Sequence, residues 1–229
     1  MSSAAAETVP QAASLRVDVV SDVICPWCFI GKRHLEQALA ECREMTVDVH
    51  WRPFQLNPDM PREGMEREAY LQAKFGDRSG GDIYARVTAT GLQAGIDFAF
   101  DAIRRTPNTV AAHRLIAMAA EAGRQDAVVE ALFRAYFLEG RDIGAMDVLG
   151  EVVEAAGLGA DAVARLSGSD ALEAEVLTED AIARRSGVSG VPCFIIDRAF
   201  AVSGAQPASH LVAAFEHALE MRRTKPDAA

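Results

Sequence analysis

The sequence has few cysteines and no long apolar run. Four cysteines in 229 residues are too few for the disulfide framework of a small secreted scaffold. No stretch approaches the roughly 18 consecutive apolar residues that a membrane-spanning helix needs. Residues 1–14 also lack the basic and apolar regions of a secretory signal. These absences predict a cytoplasmic protein without a membrane segment.

Basic residues are in deficit as well. The chain has 23 Lys and Arg residues against 33 Asp and Glu residues, which gives a net charge of −10. A negative surface is repelled by phosphate backbones and anionic lipids, so we expect neither nucleic acid nor a membrane as a partner. Half of the residues are hydrophobic, which is enough for a sizeable core. The composition therefore predicts an acidic globular protein and leaves its substrate open.

The most informative stretch is a Cys-x-x-Cys pair that follows an apolar run. Residues Leu15–Val20 have the continuous hydrophobicity of a buried strand, and Cys25 and Cys28 come shortly after them. Leu35 and Leu39 then recur at helical spacing. A Cys-x-x-Cys pair at a strand-to-helix junction in a βαβ setting is typical of thiol–disulfide redox motifs.

The spacing of the pair suits dithiol chemistry. We expect Cys25 at the helix N-terminus, where unpaired backbone N–H groups and the helix dipole favour a thiolate. Pro26 suits the first helical position, because its missing N–H would be unpaired there. Cys28, about one turn further on, can attack a mixed disulfide at Cys25 and release the partner reduced. We therefore predict that Cys25 is the nucleophile and that Cys28 resolves the mixed disulfide.

Two other interpretations of the cysteine pair stay open. A structural zinc site usually takes four ligands from two such pairs. The sequence has neither a second Cys-x-x-Cys nor a His-x-x-x-His pattern, so we predict no metal site. The two cysteines can also be inert structural residues, since free cysteines are often buried.

The pattern along the whole chain indicates one sheet interrupted by helices. A tail at 1–14 precedes a βαβ pattern over 15–61, and residues 62–187 are predominantly helical. The β pattern returns over 188–222, where two strands precede a closing helix, and 223–229 form a second tail. Because two β-containing parts flank the helices, we predict an α/β fold with one sheet and an all-helical insertion, not two domains in series.

Motifs over roughly residues 15–220 occur in the order of a known family. They are Ser21-Asp22, Cys25-Pro26-Trp27-Cys28, Gly31-Lys32, Trp51–Leu56, Asn108-Thr109, Ala112–Leu115, Gly190-Val191-Pro192 and Ser203–Pro207. Together with the helical insertion, they resemble the DsbA class and more narrowly its FrnE-like subfamily. Relatives of that subfamily are 2-hydroxychromene-2-carboxylate isomerase and kappa-class glutathione transferase. The resemblance implies a DsbA-like thioredoxin fold, βαβ…ββα.

The resemblance also implies a substrate-binding loop at Val191 and Pro192. In this fold the Val-Pro bond is cis and its loop faces the nucleophilic sulfur, which places both residues beside Cys25. The backbone of Val191 would then pair with an incoming peptide or with glutathione as a short strand. From the motif alone, an ordinary trans bond stays open.

The dipeptide between the cysteines departs from the DsbA archetype. Pro26-Trp27 lacks the histidine that stabilises the thiolate there, so we expect a less oxidising disulfide. Trp27 is expected to offer an apolar docking surface or to pack against the insertion. The isomerase and transferase relatives carry serine at the Cys25 position and use bound glutathione. The presence of both cysteines favours dithiol chemistry, with no resident cofactor and with glutathione open as reductant or co-substrate.

Four polar residues near these motifs are further candidates for the site. Asp22 is expected to take protons from, or orient, groups near Cys25, or only to serve the helix entry. Lys32 is expected to be solvated, with a positive potential near the thiolate as the alternative. Asn108 is expected to N-cap an insertion helix, and His113 to be a structural histidine. Their separation of five residues puts Asn108 and His113 on different helix faces.

Three more residues leave alternatives. Cys42 lies fourteen residues after Cys28 on the same helix, roughly 21 Å along its axis. A disulfide needs Cα atoms within about 7 Å, so Cys42 is expected to be a small core residue. Cys193 is either a buried strand cysteine or a third thiol that traps a mixed disulfide. Gln206 is expected to cap the last helix, or to lie near the charged end of a bound glutathione.

Three functions follow from these observations. The first is a thiol–disulfide oxidoreductase that acts on protein clients or glutathione. The second is a glutathione-dependent isomerase or transferase in which Cys25 only positions the glutathione sulfur. The third is a chaperone-like binding module regulated by the redox state of the pair. A homodimer is compatible with each of them.

Overall fold

The structure is a computed structural model, and it describes residues 14–76, 81–159 and 161–224. No helix in these ranges is both long enough and apolar enough to cross a membrane. The strands are β1 (Ser14–Ser21), β2 (Thr46–Pro53), β3 (Met65–Glu66), β4 (Arg105–Thr106), β5 (Cys193–Ile196) and β6 (Phe200–Ser203). The helices are α1 (Pro26–Glu41), α2 (Arg67–Phe75), α3 (Gly81–Gln93), α4 (Val110–Ala120), α5 (Gln125–Phe137), α6 (Met146–Ala155), α7 (Asp161–Gly168), α8 (Glu173–Arg185) and α9 (Ala208–Thr224).

The apolar run at the start of the described chain forms β1, the second strand of a sheet ordered β2–β1–β5–β6. β1 is parallel to β2 and antiparallel to β5, and β6 is antiparallel to β5. A strand between two others that is covered on both faces needs an almost continuous apolar sequence. Val19 pairs with both Trp51 and Phe194, whereas Val20 pairs with Cys193. Alternate residues of β1 therefore face two different cores.

Helices cover both faces of this sheet. On one face, residues of β1 and β5 share the main core with residues of α1 and α9, among them Val19, Phe29, Phe194 and Phe215. On the other face, Val20, Phe54 and Cys193 form a smaller core, against which Ala183 of α8 and Val188 pack. The predicted α/β thioredoxin fold of DsbA type is confirmed.

The helical insertion lies between β2 and β5. Helices α2–α8 belong to it, and the apolar residues on one face of α5 are fully buried. The expectation that the insertion is all-helical was wrong in one respect, because β3 and β4 pair within it as an antiparallel ladder. That pairing joins residues about 40 positions apart, which local periodicity does not report. The predicted tails, 1–14 and 223–229, lie largely outside the described residues, and α9 continues through Thr224.

A buried carboxylate links the sheet to the insertion. The side chain of Asp18 on β1 is 10% exposed and accepts hydrogen bonds from Arg16 Nη2 and Arg52 Nε, each at 2.8 Å. Arg52 Nη1 also donates to Glu179 Oε1 of α8 at 2.8 Å. Burial raises the pKa of Asp18, but the hydrogen bonds from Arg16 and Arg52 outweigh it and lower the pKa to about 2 from 3.8. Ionised Asp18 therefore stabilises the attachment of α8 to the sheet.

We predict that Asp18→Asn lowers the free energy of unfolding by about 2 kcal/mol at neutral pH, because the ionised carboxylate is bound only in the folded state. The depressed pKa means that this contribution is complete above about pH 5 and is lost as the pH falls towards 2, with roughly half gone at about pH 3. Urea unfolding of both proteins across this range measures the difference. The same change at exposed Asp59 should alter the free energy by less than about 0.5 kcal/mol. If the difference in unfolding free energy between wild type and Asp18→Asn did not narrow as the pH falls, the stabilising role of ionised Asp18 would be contradicted.

Candidate redox site

The two cysteines stand at the junction between β1 and α1. Cys25 has extended backbone and is the N-cap residue of α1, and Pro26 occupies the first helical turn, as predicted. The Cys25 N–H donates to Asp22 O at 3.0 Å, and Cys25 O accepts a hydrogen bond from the Cys28 N–H at 3.0 Å. Cys25 therefore lies at the N-terminal end of α1, where the helix dipole is positive, with Cys28 about one turn further along the helix.

Both thiols are free, and both are shielded from water. Cys25 is 4% exposed and Cys28 is 1% exposed. Burial raises the pKa of Cys28 well above its ordinary value, and the adjacent Cys25 sulfur raises it further through a hydrogen bond and its charge. The Ser21 hydroxyl and the Asp22 backbone N–H oppose this rise. Cys28 is thus a neutral thiol at physiological pH, in contact with the sulfur of Cys25.

The loop before β5 closes over Cys25. The Val191–Pro192 peptide bond is cis. The Cys25 thiol donates to the Val191 carbonyl, with 3.5 Å between sulfur and oxygen. The Gly204 N–H donates to Pro192 O at 2.8 Å and ties the loop to the residue after β6. The structure therefore brings Val191, Pro192 and Cys25 together.

A glycine on α1 makes room for this loop. A Cβ atom on Gly31 would lie 2.8 Å from Pro192 Cγ and 3.3 Å from Phe194 Cζ. The first of these distances is shorter than any normal carbon–carbon contact, so α1 approaches the loop this closely only with glycine at position 31. Gly31 thereby sets the spacing between the helix that carries the cysteines and the loop that faces them.

Asp22 is fully buried, and its carboxylate points away from the helix entry. Oδ2 accepts a hydrogen bond from the Leu56 N–H at 2.7 Å. Oδ1 lies 3.4 Å from His113 Nε2, which is also 3.2 Å from the Phe54 carbonyl oxygen. Because Nε2 faces two oxygen acceptors, we assign its proton to that nitrogen. Asp22 and His113 therefore form a buried pair in contact with the segment after β2, and the orientation of the Asp22 carboxylate was not predictable from its position in the motif.

Two charged residues that the sequence analysis missed hold the same segment. After β2, Gln55 N–H donates to Asp180 Oδ1 at 2.8 Å, and Gln55 O accepts a hydrogen bond from Arg184 Nη2. The Arg184 guanidinium also lies 4.1 Å from the centroid of the Phe54 ring. Asp180 and Arg184 are four residues apart on α8, a spacing that puts them on one helix face. That spacing was the available signal, but it did not reveal which backbone the pair binds.

The structure corrects the expectation that Lys32 is solvated. Lys32 is buried and only 2% exposed. Its ammonium group contacts Glu36 and lies 3.2 Å from both Asp126 Oδ2 and Glu130 Oε2. Three carboxylates compensate the buried charge, so Lys32 connects α1 to α5 instead of adding a free positive potential near the thiolate.

The other two cysteines lie apart from the pair. Cys193 is 2% exposed and belongs to the core on the α8 face of the sheet, opposite the face that α1 covers. Burial raises the pKa of its thiol. Cys42 is the C-cap residue of α1 and is only half-buried, so it lies at the edge of the core rather than within it. Within the described ranges, no group of three His, Cys, Asp or Glu side chains is arranged to hold a metal ion.

The remaining candidates occupy the rim of the site or stand away from it. Trp27 is half-buried, and the Arg86 guanidinium of α3 lies 5.9 Å from the centre of its ring. Asn108 Oδ1 accepts a hydrogen bond from the Val110 N–H at 3.0 Å, although the N-cap of α4 is Thr109. Gln206 does not cap α9 as expected. Its side chain instead bonds Ser203 O at 3.0 Å and the ring of His210.

Comparisons with known proteins agree with this fold. The model of the DSBA-like thioredoxin domain matches residues 16–216. The probable DsbA oxidoreductase SCO1869 from Streptomyces coelicolor is 32% identical, with 94% of each chain covered and a TM-score of 0.84.

Two more distant structures share the fold. One is 2-hydroxychromene-2-carboxylate isomerase, 16% identical with a TM-score of 0.67, covering 91% of this chain and 98% of that one. The other is the cytosolic disulfide reductase DsbM from Pseudomonas aeruginosa with GSH, 20% identical with a TM-score of 0.61 and the same coverage. At these identities the two structures show a shared architecture.

We predict that Gly31→Ala lowers the free energy of unfolding by about 1–3 kcal/mol, because a Cβ at this position overpacks the contact with Pro192. The displaced loop should also speed alkylation of Cys25, because the loop no longer covers a sulfur that is 4% exposed in the wild type. Urea unfolding and site-resolved mass spectrometry of alkylated protein measure the two effects.

Gly150→Ala is the matched control for this substitution. Gly150 lies inside α6, and the nearest atom to an added Cβ is Val163 Cγ2 at 4.0 Å. Alanine should raise stability there by about 0.5–1 kcal/mol, as expected for a helix interior. If Gly31→Ala behaved like Gly150→Ala, Gly31 would not set the spacing of the site.

Proposed function

The chain belongs to the family of DsbA-like thioredoxin domains, and from this premise we propose that it is a thiol–disulfide oxidoreductase with Cys25 and Cys28 as its redox pair. The observation that carries the proposal is the position of the Cys25 sulfur at the start of α1, 3.5 Å from the Val191 carbonyl oxygen. A nucleophilic sulfur needs free N–H groups that favour its thiolate and a backbone edge on which a peptide can align. The narrower assignment to the FrnE-like subfamily rests on the motifs and is part of the proposal.

The proposed reaction proceeds in two exchanges. The Cys25 thiolate attacks one sulfur of a substrate disulfide, and the other sulfur leaves as a thiolate that takes up a proton. Cys28 then loses its proton and attacks Cys25, which forms the Cys25–Cys28 disulfide and releases the second substrate sulfur. The substrate gains two electrons, the dithiol loses two, and the two protons of the dithiol end on the two substrate thiols. Run in reverse, the same steps oxidise a substrate dithiol.

Glutathione and protein disulfides are the two substrate classes that this site fits. The family resemblance and the structure of DsbM with GSH support glutathione as reductant or co-substrate. The fold shared with an isomerase keeps the glutathione-dependent isomerase as the alternative, although the presence of both cysteines favours dithiol exchange. A cytoplasmic location, a homodimer and a redox-regulated binding module stay predictions. We also expect the disulfide to be less oxidising than the roughly −120 mV of DsbA, because Trp27 replaces the thiolate-stabilising histidine.

We predict that Cys25→Ser abolishes reduction of insulin disulfides, because the attacking sulfur is lost. Cys28→Ser should keep the first exchange but lose at least about 90% of turnover, since the mixed disulfide at Cys25 is then not resolved. Turbidity of reduced insulin and mass spectrometry of the trapped adduct measure the two effects. Cys42→Ser, a thiol away from the pair, should retain wild-type activity.

A glutathione redox titration distinguishes the proposal from its alternative. The state of the pair across a series of reduced and oxidised glutathione is read by alkylation and mass spectrometry. Dithiol exchange requires a single two-electron transition between the dithiol and the Cys25–Cys28 disulfide. Accumulation of a glutathione adduct at Cys25, together with full enzymatic activity in Cys28→Ala, would instead support the glutathione-dependent isomerase or transferase function.

A further inference from the structure

Two exposed cations of the insertion approach the redox pair, Lys74 on α2 and Arg86 on α3. Among the residues that the structure describes, neither forms an ion pair with a carboxylate, and each contacts only uncharged groups. Arg105 and Arg141, by contrast, each lie 2.6 Å from a glutamate oxygen. In a chain with a net charge of −10, cations without carboxylate partners beside the site need an explanation.

Arg86 contacts the redox motif itself. Its guanidinium carbon lies 5.9 Å from the centre of the Trp27 ring, and Trp27 stands between Cys25 and Cys28. A cation over an aromatic ring is attracted by the negative face of the ring but keeps its charge and its N–H donors. These donors are therefore available to an acceptor that comes from outside the chain.

Lys74 approaches the site through the segment after β2. Its ammonium group donates to Asn57 Oδ1 at 2.8 Å and to the Tyr70 hydroxyl at 2.7 Å. Leu56, the neighbour of Asn57, packs against the same small core as Val191, whose carbonyl oxygen contacts the nucleophilic sulfur. The two cations thus approach the redox pair from different sides, one at the motif and one near the cis-proline loop.

A third cation joins the two helices that carry them. Arg67, the first residue of α2, donates to the Tyr84 hydroxyl of α3 and to Thr106 Oγ1, the latter at 3.1 Å. Its guanidinium carbon also lies 5.6 Å from the centre of the Tyr70 ring. Burial raises the pKa of Tyr84, so this phenol stays neutral and does not compensate the charge of Arg67. The contacts of Arg67 therefore hold α2 and α3 in a fixed relation to each other.

We propose that Arg86 and Lys74 are specificity-determining residues that bind carboxylates of the disulfide substrate. This inference rests on the proposed dithiol function and names its substrate class, which is disulfides with acidic groups next to the cysteine. A guanidinium binds a carboxylate through two parallel N–H bonds, and an ammonium group binds it as a point charge. Lys74 also lines a groove of about 350 Å³ with Leu56, Met60 and Met65, which suits an apolar side chain of the same substrate.

Recognition by exposed charges has a characteristic size and salt dependence. An exposed ion pair changes a binding or rate constant by a factor of about two to five. The two residues together should therefore accelerate the reaction with an acidic disulfide by about tenfold at low ionic strength. At about 1 M salt the screening length falls to about 3 Å, and most of this acceleration should disappear.

The experiment follows oxidation of the reduced full chain by three disulfides. They are the dimers of blocked Glu-Cys-Glu and Gln-Cys-Gln peptides, and glutathione disulfide. Cys25 attacks one sulfur and the first substrate thiol leaves with a proton, and Cys28 then releases the second, so that two electrons pass from the protein to the substrate. Alkylation at timed intervals and mass spectrometry give the second-order rate constants. Comparing variant and wild type on the same disulfide cancels the intrinsic reactivity of each substrate.

We expect Arg86→Gln and Lys74→Gln each to slow the reaction with the acidic peptide about threefold more than the reaction with the neutral peptide. The double variant should show a difference of about tenfold, and about 1 M salt should remove it. Arg86→Lys, which keeps the charge, should retain most of the wild-type rate. Slowing with the acidic peptide identifies peptide carboxylates as the ligand, and slowing with glutathione disulfide alone identifies those of glutathione.

Arg43→Gln is the matched control, because it removes an exposed charge beyond the opposite end of α1. It should leave the rates with all three disulfides unchanged. Equal rates of wild type and the double variant with both acidic disulfides would overturn the proposal. Equal slowing with acidic and neutral peptides would also overturn it, because the effect would then arise from the packing of Trp27. If none of the three disulfides oxidised Cys25 and Cys28 in the wild type, the dithiol function itself would be contradicted.

Discussion

The contact between the Cys25 sulfur and the Val191 carbonyl joins two parts of the chain that are 166 residues apart. The sheet and Gly31 both contribute to holding these two atoms together. The sheet provides the frame, because β1 carries the chain into the cysteines and its neighbour β5 directly follows the cis-proline loop. Gly31 then permits the helix and the loop to approach without a side chain between them. The tertiary structure thus positions the Cys25 sulfur from two sides, and the proposed exchange requires such preorganisation.

Buried charge holds the helical insertion in place next to this contact. The segment after β2 leaves the sheet and loses its ladder partners, yet its backbone groups still need hydrogen bonds in the interior. Asp22, His113, Asp180 and Arg184 provide them, each bonding or contacting a backbone group of residues 54–56. Asp22 comes from the loop that leads to Cys25, and the other three come from the insertion. The insertion and the loop that leads to Cys25 therefore contact the same backbone segment.

The same low-polarity interior explains why the two cysteines differ. Cys25 is the N-cap residue of α1 and contacts the cis-proline loop, whereas Cys28 lies within α1, where burial raises the pKa of its thiol. The buried Cys28 thiol is protected from outside reagents, but its thiolate is energetically unfavourable. The Ser21 hydroxyl and the Asp22 backbone N–H lower the pKa of Cys28, but they do not outweigh burial and the adjacent Cys25 sulfur.

The sequence by itself determined the local features of this protein. The Cys-x-x-Cys pair, Pro26 in the first turn and the apolar run of β1 follow from short-range chemistry and periodicity, and the order of elements predicted one interrupted sheet. Family resemblance, not spacing, placed Pro192 beside Cys25. Only the tertiary structure decided whether each polar residue is buried and which partners it contacts. Lys32 is buried because three carboxylates converge on it from α1 and α5, and Cys193 faces away from α1 because its register pairs it with Val20. Such outcomes depend on partners that lie tens to more than a hundred residues away in the sequence. A local pattern carries no information about which distant charged residue or strand will contact a given position.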